Sequence, residues 1–131
     1  MRTIRDFLFV EPENRGASVA IGNFDGVHLG HQAVIRQARE AAQGAPLGVL
    51  TFEPHPREYF APQSPPFRLM SAKARASRLE KLGVDRLYEL NFNKALAALT
   101  PRDFAQKVIH DGLGLKHVVV GADFCFGKDR A

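Results

Sequence analysis

The stretch "ASVAIGNFDGVHLGH", residues 17–31, decides how the chain folds. Its first part, "ASVAIG" (17–22), is short, apolar and bounded by glycines, which predicts a buried β-strand. The glycine-rich "GNFDGVHLG" predicts a tight turn, because Gly22 and Gly26 permit unusual backbone dihedral angles. A helix is then predicted from about residue 31 to residue 43, where apolar residues fall at helical spacing. The stretch therefore reads as a strand, a glycine turn and a helix in direct succession.

The rest of the chain continues this alternation. Further strands are predicted at 46–52, within 84–92 and within 115–124, and further helices at 71–83 and from Thr100 to about Asp111. Ser71 can cap the first of these helices and Gly83 ends it, whereas Thr100, Pro101 and Asp103 together mark the start of the second. Four strands that alternate with helices predict an α/β fold, a parallel sheet with right-handed crossover helices.

Three unusual segments each follow a predicted strand. They are the glycine turn, the loop "EPHPREYFAPQSPPF" (53–67) with its five prolines, and "GADFCFGKD" (121–129). Because the carboxyl ends of parallel strands lie at one edge of a sheet, these segments should meet there. Ligands bind at that edge in sheets of this kind.

Length, charge and cysteine content narrow the class of protein. The 131 residues suggest one domain, and the net charge of +4 comes from scattered basic residues. Such scatter favours a mildly basic surface over a nucleic-acid interface, and it also suits a small anionic ligand. No apolar run is long enough for a membrane helix and no secretory signal is present. The single Cys125 excludes an intrachain disulfide, so a cytoplasmic location is predicted.

The glycine turn carries the residues best suited to chemistry. His28 and His31 are three residues apart, so on a helical turn they point the same way. The first amides of the helix are unpaired and favour an anion. We interpret the two imidazoles, the amide of Asn23 and the space at Gly30 as a phosphate-binding site. The alternatives are a tight turn with two surface histidines, or a zinc pair, for which further ligands are missing.

Several motifs together resemble one family. "HLGH" (28–31) has the HxGH form of the nucleotidyltransferase superfamily, which includes class I aminoacyl-tRNA synthetases. The strings "GNFDGVHLGHQ", "TFEPHP" and "GADFCFGKDR" occur in order and resemble the FAD synthetase module of bacterial bifunctional riboflavin kinase/FMN adenylyltransferases. The resemblance covers nearly the whole chain and implies a Rossmann-like nucleotidyltransferase fold. No "ISS" string occurs, so we expect a partial domain, 1–131, without the family's last strand and without its kinase domain.

This resemblance also implies an activity. The family's module transfers AMP from ATP to FMN, giving FAD and pyrophosphate, with ATP taken as its magnesium complex. A full-length parent would also phosphorylate riboflavin. By resemblance, the catalytic residues are His28, His31 and Asn23; the nucleotide-binding residues are Gly22, Phe24, Gly30, Gly121 and Asp123; and the flavin-binding residues are Pro54, His55, Pro56, Phe60 and Phe126. No protein ligand for the metal is named, and each phenylalanine could instead belong to the core.

Other functions stay open at this point. A nucleotidyltransferase with another acceptor, such as a pantetheine phosphate or a nicotinate nucleotide, would share the HxGH motif. A non-enzymatic nucleotide- or RNA-binding module would use the basic surface, and a fragment could have no activity alone. We expect small-molecule substrates as the partners, without nucleic acid or membrane, and leave the oligomeric state open.

Overall fold

The computed structural model describes residues 1–7, 10–24, 26–27, 29–53 and 70–121. Within these residues, five parallel strands form one sheet in the order β1-β4-β3-β2-β5. The strands are β1 (Arg2–Ile4), β2 (Ser18–Ile21), β3 (Leu47–Glu53), β4 (Arg86–Asn91) and β5 (His117–Val120). The predicted α/β fold with a parallel sheet is confirmed.

Helices connect the strands. They are a 3-10 helix (Pro12–Asn14), α1 (Leu29–Ala42), α2 (Ala72–Lys81), α3 (Lys94–Ala97) and α4 (Pro101–Asp103), which continues as a π-helix (Phe104–Gly112). The predicted caps are present, because the Ser71 hydroxyl accepts from the amide of Ala74 and the Thr100 hydroxyl from the amide of Asp103, both at 3.1 Å. Each cap satisfies one of the amides that a helix start leaves unpaired.

Two features of this architecture correct the sequence prediction. Four strands were expected, but β1 adds a fifth at the edge of the sheet, where Arg2 pairs with Arg86 of β4. The last long helix was expected to be ordinary, but it is a π-helix, in which the amide of Leu113 donates to the carbonyl of Val108 at 2.7 Å. Neither feature has a local sequence signal: one depends on a distant strand, the other on a change of hydrogen-bond spacing.

Both faces of the sheet are covered. One face packs against α1 and α2 through a cluster that includes Ala20, Val49 and Leu87 of the strands and Ile35, Ala38 and Leu79 of the helices. The other face packs against α3 and the π-helix through a cluster that includes Val19, Leu50 and Tyr88 of the strands and Leu96, Phe104 and Val108 of the helices. Neighbouring strand residues point to opposite faces, so continuous apolar strands supply both clusters.

A glycine inside β3 makes room for an aromatic ring. A Cβ atom at Gly48 would lie 2.8 Å from a ring carbon of Tyr88. The fully buried Tyr88 donates its hydroxyl hydrogen to the carbonyl of Asn14 at 2.6 Å. Burial raises the pKa of Tyr88 to about 12, against a smaller opposing effect of Arg86. Gly48 is therefore required by the side chain across the strand pair.

The strand order reverses beside β2. The chain runs from β2 through α1 to β3 and through α2 to β4, each time to the next strand on the same side. It then returns across the sheet to place β5 on the opposite side of β2. The carboxyl ends of β2 and β5 therefore flank a topological switch point, the position at which open α/β sheets bind ligands.

Candidate functional site

The turn after β2 has an unusual backbone. Phe24, Gly26 and Val27 have φ angles of +54°, +84° and +44°. Non-glycine residues in this region are uncommon, and a β-branched valine there is a genuine outlier. Gly22 is not among the positive-φ residues, which corrects the expectation for that position. Glycine gives space there instead, because a Cβ atom would lie 3.1 Å from the Phe24 ring and the ring would have to shift slightly. Backbone strain of this kind clusters at functional sites.

The aromatic ring in the turn holds a histidine in place. Phe24 is 1% exposed and belongs to the core cluster on the α1 face. Its ring centroid lies 5.0 Å from that of His31, with the planes tilted by 51°. His31 is itself only 4% exposed. The imidazole is therefore almost completely buried and packs against the Phe24 ring.

The backbone carbonyl of Asn23 is hydrogen-bonded twice, whereas its side-chain oxygen is buried without a hydrogen-bond partner among the described residues. Its carbonyl oxygen accepts from the hydroxyl of Thr51 at 3.1 Å and from the guanidinium of Arg75 at 3.2 Å. Its side-chain Oδ1 is buried and has no hydrogen-bond partner among the described residues. A buried polar atom normally has such a partner. The Asn23 carboxamide therefore marks a position where a ligand group would complete the hydrogen bonding.

The N-terminus of α1, which we call the head of the helix, is exposed to solvent beside this turn. Leu29 is 81% exposed, and Gly30 is exposed as well. The first turn of α1 contains no acidic side chain, so nothing there opposes an anion at the positive end of the helix. Across the switch point, the amide of Gly121 donates to the carbonyl of Ile21 at 2.9 Å. The segment after β5 therefore starts next to the turn.

The sequence-predicted site residues divide into two groups. The structure brings together six of them around the turn: Gly22, Asn23, Phe24, Gly30, His31 and Gly121. The others lie outside the described residues: His28, Pro54, His55, Pro56, Phe60, Asp123 and Phe126. The geometry therefore bears on the phosphate side of the predicted site.

Sequence reasoning missed a charged cluster beside the turn. Arg75 of α2 is fully buried, and its Nη2 lies 3.0 Å from Glu53 Oε2 and 3.5 Å from Glu89 Oε2. The other oxygen of Glu89 lies 3.4 Å from Nε of Arg5. A signal was available: Arg75 precedes the buried Leu79 by one helical turn, which places it on the apolar face of α2.

A cavity of about 470 Å³ lies at the carboxyl ends of β1 and β4. Its lining includes Arg5, Phe7, Leu90, Asn91, Leu96 and Lys107. None of the turn residues that the structure describes lines it. The cavity and the turn thus occupy different parts of the same edge of the sheet.

The described residues provide neither a metal-ligand cluster nor a membrane-spanning helix. They contain no group of three or more His, Cys, Asp or Glu side chains placed to hold a metal ion. None of their helices combines the length and the apolar character that crossing a membrane requires.

Comparison with known proteins places the chain in one family. The sequence model of the FAD synthetase family matches residues 10–131. The bifunctional riboflavin kinase/FMN adenylyltransferase of Pseudomonas fluorescens is 46% identical over 132 residues, which is 99% of this chain and 42% of that protein. The protein of the same name from Bacillus subtilis is 38% identical over 122 residues, 91% of this chain and 38% of its own length. The chain thus spans about two fifths of the relatives it matches.

A solved structure shares the architecture. A crystal structure from Streptococcus pneumoniae, described as a macrolide-efflux protein, matches with a TM-score of 0.78 and 29% identity. The match covers 99% of this chain and 44% of that one. That name differs from the names of the sequence relatives, which have higher identity and agree with the family match. The chain therefore belongs to the FAD synthetase family.

Proposed function

We propose that this protein transfers AMP from ATP to FMN, forming FAD and releasing pyrophosphate. The family match and the names of the relatives support this activity. The observation that carries it in the structure is the turn: a strained backbone, an open helix head and the Asn23 carboxamide with a buried, unpartnered oxygen. These features converge at the switch point of a parallel sheet, where a phosphate group would bind.

The reaction needs alignment more than acid-base chemistry. A phosphate oxygen of FMN attacks the α-phosphorus of ATP, a new P–O bond forms, and the bond to the β-phosphate oxygen breaks. The second pKa of a phosphate monoester is about 6, so the attacking group is already ionised at neutral pH. No general base is required, and the protein acts by positioning the reactants and stabilising the charge of the transition state.

The turn supplies groups for that task. The first amides of α1 point toward the open head of the helix and favour phosphate oxygens. Rotating the Asn23 carboxamide by 180° exchanges its oxygen for an NH₂ group, which would donate to a phosphoryl oxygen. His31 would add one ring nitrogen, and we propose His28 as the second imidazole. ATP would enter as its magnesium complex, with the metal held mainly by phosphate oxygens and water.

The remaining predicted residues would complete the two substrate sites. Gly121, which lies next to the turn, would admit the nucleotide closely, and Asp123 would accept from one of its polar groups. On the acceptor side we propose the segment "PHP" with Phe60 and Phe126, whose aromatic rings suit stacking on the isoalloxazine ring. The turn after β2 would then serve the nucleotide, the segment after β3 would serve the flavin, and the segment after β5 would contribute to both sites.

Titration of the 131-residue chain with ATP and Mg²⁺, and then with FMN, tests the proposal. Asn23→Asp keeps the shape of the side chain but adds a negative charge, which should weaken ATP binding by at least about tenfold. Asn93→Asp is the matched control, because Asn93 caps the distant α3 and aspartate caps equally well. Equal ATP affinity for Asn23→Asp and wild type would contradict a phosphate site at the turn. Formation of FAD together with pyrophosphate tests the reaction itself.

A further inference from the structure

Arg75 is buried completely at a point where two loops leave the sheet. It is 0% exposed, although arginine is almost never fully buried unless it is paired. Its Nη1 donates to the carbonyl oxygen of Asn23 at 3.2 Å. Its Nη2 donates to the carboxylate of Glu53 at 3.0 Å and lies 3.5 Å from the carbonyl oxygen of Phe52. One guanidinium therefore contacts both the turn after β2 and the end of β3.

The contacts to Asn23 and to Glu53 lie where the two proposed substrate-binding segments begin; we call these two positions the roots of the segments. Asn23 is the second residue of the turn that would hold the phosphates of ATP. Glu53 is the last residue of β3 and directly precedes Pro54, the first residue of the proposed acceptor-side segment. The distance between these two roots is spanned by a single planar group. A planar group with fixed donor directions transmits a fixed spacing.

The surrounding charges keep this group in place. Glu53 and Glu89 both pair with Arg75, and the other carboxylate oxygen of Glu89 pairs with Arg5. Two cations and two anions thus form a neutral chain of ion pairs. The Asn23 carbonyl is also bound by the hydroxyl of Thr51, which is fully buried. The root of the turn is therefore fixed by two donors that cannot move into solvent.

We infer that Arg75 is a positioning residue that sets the spacing between the ATP-side turn and the acceptor-side segment. This inference rests on the proposed function, which requires the attacking phosphate and the α-phosphate to be aligned. A misplacement of about 1 Å far from the reacting atoms can lower a rate by about a hundredfold. Lysine would retain the positive charge at position 75, but its single ammonium group lacks the fork that reaches both roots.

Three variants test this inference. Arg75→Met removes the charge and the fork, and Arg75→Lys removes only the fork. Arg78→Met is the matched control, because Arg78 is exposed on the same helix, α2. Each protein is compared with wild type in three measurements: melting temperature, affinity for ATP with Mg²⁺, and the amide chemical shifts of Gly22, Gly26 and Val27.

The expected result separates positioning from simple stabilisation. At a temperature where the variants are folded, Arg75→Lys should weaken ATP binding about tenfold and shift the three turn amides. Arg75→Met should do both to a greater extent, and Arg78→Met should change neither by more than about twofold in affinity. Unchanged turn amides and affinity in a folded Arg75→Lys or Arg75→Met protein, with only the melting temperature lowered, would overturn the inference.

If Arg75→Met does not fold, Arg75→Lys decides the matter by the same two readouts. If the wild-type chain binds neither ATP nor FMN, the proposed function fails in this chain. The turn amides then still decide whether Arg75 positions the turn, because their shifts are measured without a ligand. Thr51→Val, which removes the other donor to the same carbonyl, should shift the same amides if the Asn23 anchor controls the turn.

Discussion

The two halves of the sheet's carboxyl edge are built differently. The half beside β2 and β5 is a glycine turn with positive φ angles and an apolar anchor, Phe24. The half beside β3, β4 and β1 is a chain of ion pairs centred on the buried Arg75. The first half leaves the buried Asn23 Oδ1 without a partner among the described residues, whereas the second half pairs its charged groups with one another. The strained turn is thus held by its own aromatic ring, Phe24, which packs in the core, and by the neighbouring charged cluster, whose Arg75 binds the Asn23 carbonyl.

Removing the apolar anchor should have the largest effect on stability. Phe24→Ala deletes a ring that is 1% exposed, so the free energy of unfolding should fall by about 3–5 kcal/mol. Leu29→Ala is the control, because Leu29 is 81% exposed at the same turn and its loss should change stability by less than about 0.5 kcal/mol. Urea unfolding measures both. Similar values for the two variants would show that Phe24 does not anchor the turn.

In the charged half, the cost of neutralising a carboxylate should follow its burial. The Glu89 side chain is 9% exposed between two arginines, and Glu89→Gln should lower stability by about 3 kcal/mol. The Glu53 side chain is 32% exposed, so Glu53→Gln should cost less than about 1 kcal/mol because solvent screens its charge. Chemical denaturation at neutral pH checks the order. A larger loss of stability for Glu53→Gln than for Glu89→Gln would contradict this order and show that Glu53, at the end of β3, is the more important partner of Arg75.

Alkaline pH should lower the stability of the protein through Tyr88, which lies next to Glu89 in β4. An unfolded tyrosine ionises near pH 10, whereas burial raises the pKa of Tyr88 to about 12. Between these values the folded state binds more protons than the unfolded state, so stability falls as pH rises. The loss should approach about 2 kcal/mol by pH 12.

The Tyr88→Phe variant isolates this effect. It should show a weaker loss of stability between pH 10 and pH 12 than wild type, because the titrating hydroxyl is gone. At pH 7 it should be less stable by about 1 kcal/mol, since the hydrogen bond to Asn14 is lost. Parallel pH profiles for the two proteins would mean that Tyr88 does not control the alkaline limb.

The smallest expected effect concerns the space at the start of the turn. In Gly22→Ala the new methyl group would lie 3.1 Å from the Phe24 ring, so stability should fall by about 1 kcal/mol. The same substitution in a Phe24→Leu background should cost less, because the ring atom that causes the contact is absent. Thermal unfolding of the four proteins gives the coupling. Equal costs in both backgrounds would show that the clash does not involve the ring.

Local signals allowed much of the fold to be predicted. The caps at Ser71 and Thr100, the glycine at position 83 and the apolar strands are all properties of short segments, and the structure confirms them. The short β1 was missed because its pairing with β4 is a long-range property. The π-helix was missed because its apolar spacing resembles that of an ordinary helix.

The site was predictable to the extent that single residue types carry it. The glycine-rich turn and the positive φ of Gly26 follow from composition. The positive φ of Phe24 and Val27 does not, because tertiary packing imposes a conformation that these residues disfavour. Arg75 was missed for a related reason: in a helix rich in lysine and arginine, only its spacing to Leu79 distinguishes a buried cation from the solvated ones.

The sheet order has a consequence for how the chain acquires its structure. The central strands β2, β3 and β4 are neighbours in order of synthesis, so they can pair as soon as each emerges. The outer strands cannot. β1 can pair only after β4 has been made, because Arg2 pairs with Arg86, and β5 can pair with β2 only once His117, the partner of Ser18, has been made. Long-range pairing of this kind is slow. β1 therefore docks later than β2 and β3 pair, and until then β4 presents an unpaired edge to other chains.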